Sequence, residues 1–95
     1  MLSNMGEVEA GNLLEIQKEL EHRGSLRVEL RGTGKSAFLY VRSLERAAEI
    51  SIEQGGFFVE YWNNADEESD EAPIKSERLT SAAAAVNAMT NWLSQ

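Results

Sequence analysis

Gly34-Lys35-Ser36 is the tripeptide in this chain that most resembles a nucleotide site. A phosphate loop carries a glycine five residues before its Gly-Lys pair and runs into a helix whose amino end holds the phosphate. Here the upstream position is Glu29, and a strand pattern follows, so the tripeptide reads as a hairpin turn. His22 is the only histidine and cannot build a multi-histidine metal site. Near the end of a predicted helix, its charged imidazole complements the helix dipole. A catalytic role would need a nucleophile and an orienting acid, and the sequence marks neither.

Carboxylates are the remaining chemical groups in number. Asp66, Glu67, Glu68, Asp70 and Glu71 place five acids in six residues. Asn64, Asp66, Glu68 and Asp70 recur at every second position, a spacing that invites a hard cation. The segment lacks the turn glycine and the terminal glutamate spacing of the helix–loop–helix calcium motif, so no metal is expected. Clustered like charges prefer water, which makes this a solvated loop or an arm that docks on a basic surface. Glu29 and Glu60 could split their pKa values if they stood close on adjacent strands. Arg27, Arg31 and Arg42 surround them in the strand pattern, and ion pairing is the simpler use. No cysteine is present, which removes disulfides, thiolate zinc sites and a cysteine nucleophile together. The expectation is a protein that is not an enzyme and uses no cofactor.

Ninety-five residues, 42% of them apolar, make one domain with a modest core. Residues 1–11 read as a flexible tail ahead of a single domain over 12–95. Asn12 and Glu15 resemble a capping pair, Leu13, Ile16 and Leu20 share one helical face, and Gly24 ends the helix. Ser25–Arg31 alternates as a half-buried strand and Ser36–Arg42 returns as its hairpin partner. Ser43 then predicts a capped helix to about residue 54, with Leu44, Ala47, Ala48 and Ile52 as its inner stripe. Phe57–Trp62 is a third strand, and Pro73–Leu79 is a fourth whose proline and charges suit a sheet edge. Thr80 or Ser81 caps a last helix with Ala82, Ala85, Val86, Met89 and Leu93 facing inward. The fold class expected is α+β, two layers, with a four-stranded antiparallel sheet and helices mainly on one face, in the order α-ββα-ββα.

That alternation sorts the strands into two faces. Leu26, Val28, Leu30, Leu39, Val41, Phe57, Val59 and Tyr61 belong to the helix side. Phe38, Tyr40, Phe58 and Trp62 fall on the other, interleaved with arginines and with Glu29 and Glu60. Large exposed aromatic patches mark interaction sites. Three covers are open to this face: the first helix, a protein partner or second copy, and stacked bases. The acidic loop opposes backbone phosphate, and it holds five of the chain's net −7 charges. Nucleic acid is therefore not the expected partner. Membrane is not expected either, because nowhere do about 18 apolar residues run together. The amino end, MLSNMGEVEAG, lacks a signal-peptide pattern, so the expected location is cytoplasmic.

Through GGFFVEYW at Gly55–Trp62, the polar loop after it and the closing helix, residues 44–93 resemble small bacterial immunity proteins of polymorphic or contact-dependent toxin systems. The resemblance implies a small, cytoplasmic, often acidic inhibitor that occludes a toxin's site without catalysis. It also implies that Asp66–Glu71 faces a basic toxin. The partner-binding residues expected are Phe38, Tyr40, Phe58, Glu60, Trp62, Asp66, Glu67, Glu68, Asp70 and Glu71. The alternative is a structural homodimer that uses the outer sheet face or the fourth-strand edge.

Overall fold

The computed structural model describes the backbone of residues 5–53, 55–65 and 71–95, and side chains from Leu13 onward within those ranges except Lys35. The fold is α+β. Helix α1 (Met5–Glu21) leads into strands β1 (Arg27–Arg31), β2 (Phe38–Arg42), β3 (Ala47–Glu53), β4 (Gly56–Trp62) and β5 (Lys75–Leu79), and helix α2 (Ala82–Leu93) closes the chain. All neighbouring strands pair antiparallel in the order β1-β2-β3-β4-β5. The sheet is thus a simple meander of five strands, where four were expected.

The difference lies at residues 43–54, expected as a helix and found as a turn and strand β3. Ala-Glu-Ile-Ser-Ile-Glu has period two as well as a helical stripe, and Ile50 and Ile52 are β-branched. The strand buries Ala48 and Ile50 completely against the helices and turns Glu49 and Ser51 to the opposite face. Ser43, expected as a helix cap, closes the β2–β3 hairpin. Its hydroxyl accepts from the Arg46 and Glu45 amides at 3.2 and 3.4 Å, and its own amide donates to the Arg46 carbonyl at 2.9 Å. Leu44, expected on an inner stripe, stands at the tip of this turn and is 97% exposed.

The other elements follow their sequence signals. Gly34–Ser36 is a single 3-10 turn inside the β1–β2 hairpin, and a strand follows it. Gly32 takes φ 76°, which a side chain would resist, and an added Cβ would press on the Ser36 carbonyl. Ser81 caps α2, its side chain accepting from the Ala84 amide at 3.1 Å. β5 is an edge strand, as expected of Pro73–Leu79. Helix α1 starts at Met5, ahead of the Asn12 cap, so its first turns run through residues read as a tail.

Both helices lie on one side of the sheet. Leu13, Ile16 and Leu20 of α1 join Ala85, Val86, Met89, Trp92 and Leu93 of α2 over Leu39, Val41, Ala48, Ile50, Phe57, Val59 and Tyr61. Each large side chain buried here contributes about 1.5–3 kcal/mol. Small alanines on α2 (Ala82 and Ala85) let that helix approach the strands closely. Trp92 stitches the layers: its indole N–H donates to the Ala47 and Trp62 carbonyls at 3.2 Å each, and its ring lies 5.4 Å from that of Tyr61.

Candidate functional site

Because strands β1–β4 alternate without a bulge, every second side chain goes to the helix-free face. Three rows cross it. The first is Arg27, Arg42, Ala47 and Trp62, and the second is Glu29, Tyr40, Glu49, Glu60 and Ser76. The third is Arg31, Phe38, Ser51, Phe58 and Arg78. Phe38, Tyr40, Phe58, Glu60 and Trp62, the partner-binding residues expected on strands, therefore share one face. Among the described residues, α1 packs on the opposite side and does not cover them.

The aromatics on this face are not bare. The Arg31 guanidinium lies 4.4 Å from the centre of the Tyr40 ring and pairs with Glu29 at 2.6 Å. Tyr40 is 5% exposed, although it lies outside the contiguous cluster beneath the helices. The Arg78 guanidinium lies 5.9 Å from the Phe58 ring and pairs with Glu53 at 2.9 Å. An arginine over an aromatic face is attracted by the ring quadrupole while a carboxylate holds its edge. Two such sets of arginine, ring and glutamate occupy the face.

Glu49 and Glu60 stand directly opposite each other in the two central strands. Among the described residues neither carboxylate makes a hydrogen bond or a salt bridge. Burial raises the Glu49 pKa above the usual glutamate value; the facing Glu60 raises it further, and Arg31 partly opposes them. Beside this pair is an open cavity of about 310 Å3 whose lining includes Phe38, Glu49, Ser51, Glu53 and Glu60. Glu49 and Glu53 were not anticipated as site residues. Both lie on the segment read as a helix, and the alternation Glu49-Ile50-Ser51-Ile52-Glu53 was the signal that could have found them.

The acidic segment adjoins the first row. Arg42 donates to the Ala65 carbonyl at 3.5 Å, and the Trp62 indole donates to the Glu71 carbonyl at 3.0 Å. The Asn64 amide donates to the Glu71 carboxylate at 2.6 Å. Both flanks of the segment are thus tied to residues at one corner of the outer face. Asp66, Glu67, Glu68 and Asp70 lie outside the described residues.

On the helix side, the Tyr61 hydroxyl donates to the Glu77 carboxylate, with the Lys75 ammonium 4.9 Å from the Tyr61 ring centre. Burial first, then this bond and the Glu77 charge, push the Tyr61 hydroxyl well above its ordinary pKa. That direction suits a structural phenol and not an acid–base catalyst near neutral pH. His22 is exposed beyond the end of α1. No group of three or more metal-binding side chains occurs among the described residues. No described helix is long and apolar enough to cross a membrane. Family models, curated proteins and solved structures were all compared with this chain, and none matches it.

Proposed function

We propose that this chain is a non-enzymatic protein-binding module that docks a basic partner through its acidic segment and the outer sheet face, in the manner of an immunity-type inhibitor. One observation supports this reading most. Phe38, Tyr40, Phe58, Glu60 and Trp62 share a helix-free face, and both flanks of the acidic segment are tied to Arg42 and Trp62 at its corner. Concentrated charge speeds encounter with an oppositely charged protein, and aromatic and arginine side chains supply the lasting contact energy. The flanks of the acidic segment and the aromatics are adjacent, so one docking event can engage both.

A toxin encoded directly upstream of this chain is the partner to test first. Co-expression should rescue growth, and binding kinetics should show that salt acts mainly on association. Replacing Asp66, Glu67, Glu68, Asp70 and Glu71 together by their amides should slow association about tenfold at low salt. Phe58→Ala and Trp62→Ala should instead speed dissociation. Unchanged association in the five-fold variant would exclude the acidic segment from the interface.

A homodimer is the second reading. Among the described residues the edge strands β1 and β5 each have a neighbour on one side only, and Ile74, just before β5, is 54% exposed. Self-pairing along that edge would leave the outer face to a third component.

A further inference from the structure

Two sets on the outer face repeat one recipe: an aromatic ring, a glutamate, and an arginine that lies over the ring while pairing with the acid. Tyr40, Glu29 and Arg31 form the first, and Phe58, Glu53 and Arg78 form the second. Phe38 with Glu49 and Glu60 supplies the ring and two acids of a third set. Among the described residues no arginine stacks on Phe38 or makes an ion-pair contact with either acid, although the Arg31 charge, held by Glu29 and Tyr40, still acts on Glu49. Where the arginine would sit there is instead the open cavity of about 310 Å3.

We propose that this cavity receives an arginine side chain of a protein partner, stacked on Phe38 and held by the carboxylates of Glu49 and Glu60. The proposal rests on the reading of the chain as a module for a basic protein, and it names the contact that such a partner makes on the sheet.

The chemistry selects arginine. Cross-strand neighbours have their Cβ atoms about 4.5–5.5 Å apart, so two facing carboxylates can reach different edges of one planar guanidinium. Lysine offers a compact ammonium without a flat face for the ring. Like charges directly opposite across two strands oppose each other, and an incoming cation relieves that repulsion while it binds. Glu53 remains engaged with Arg78, leaving Glu49 and Glu60 for the ligand.

The test is an NMR titration of the full isotope-labelled chain with N-acetyl-arginine amide, using the citrulline analogue as its neutral isostere. Saturable shifts are expected at Phe38, Glu49, Ser51 and Glu60 for arginine and not for citrulline. Glu49→Gln with Glu60→Gln should weaken binding at least about tenfold, the loss of one good charge-assisted contact. Phe38→Leu, which keeps the apolar bulk, should weaken it about threefold. The amide spectrum of each variant reports whether the fold persists. Equal binding of citrulline, or full affinity in the double glutamine variant, would overturn the proposal. The variant with the five acids of 66–71 neutralised must still bind arginine at the cavity; shifts that vanish with those acids would place the cation on the loop and refute the site. A toxin that fails to bind while the arginine shifts persist would remove the immunity reading and leave the cavity standing.

Discussion

Glu49 sits at the middle of a central strand with Glu60 across from it and a partly buried carboxylate of its own. Its pKa is raised in the folded chain, so the folded state holds this proton more tightly than the unfolded state does. The group is therefore neutral to stability below the unfolded pKa and increasingly costly as pH rises through the folded one. Glu49→Gln should stabilise the protein near pH 7 by about 0.5 kcal/mol, the scale of a like-charge cross-strand pair. For a domain of this size that is about 2–4 °C in Tm. The gain should vanish toward about pH 3, well below the unfolded value, where glutamate is protonated in both states. Thermal melts at pH 7 and about pH 3 check this, and a loss of stability at pH 7 would show that Arg31 outweighs burial and Glu60.

At the scale of elements, β3 decides what the site contains. Residues 43–54 carry a helical stripe and a strand alternation at once, and local propensity leaves the two nearly balanced. Tertiary pairing breaks the balance: β2 and β4 both present open edges, and a strand between them satisfies two ladders of backbone hydrogen bonds. Ser43 illustrates the same point, since its hydroxyl serves a turn as readily as a helix start. The β4–β5 pairing has its own close fit at Gly56, where an added Cβ would meet the Leu79 carbonyl oxygen. That atom is backbone and cannot swing aside. Gly56→Ala should cost about 1–3 kcal/mol. It should also increase hydrogen exchange of the β5 amides more than that of β2. Uniform loss of protection across the sheet would mean that the strain spreads beyond this pair.

As a whole molecule the protein is a sheet with one face committed to two helices and the other left to charged and aromatic side chains. Its outer-face arginines are partly spent on its own rings, Arg31 over Tyr40 and Arg78 over Phe58. A face covered in this way needs no second copy to hide its aromatics. Light scattering should accordingly find a monomer at high concentration, and a stable dimer would favour the self-association reading over the docking one. If a dimer forms, Arg27→Glu on the open edge of β1 and Arg78→Glu on that of β5 distinguish which edge pairs.

The amino-acid sequence by itself determined the class of fold, both flanking helices, the β1–β2 hairpin, the edge strand and the placing of Phe38, Tyr40, Phe58, Glu60 and Trp62 on one face. Those features rest on period-two or helical alternation, caps and turn glycines, which act over a few neighbouring residues and are legible there. It also marked the acidic segment, because charge density is a property of composition. Only the tertiary structure decided that residues 47–53 form the central strand, that α1 leaves the outer face open, and that Glu49 meets Glu60 beside Phe38. Each of those depends on pairing between segments distant in sequence, where the free energy of completing a sheet outweighs a nearly even local preference. The site is consequently half written in alternation and half made by register.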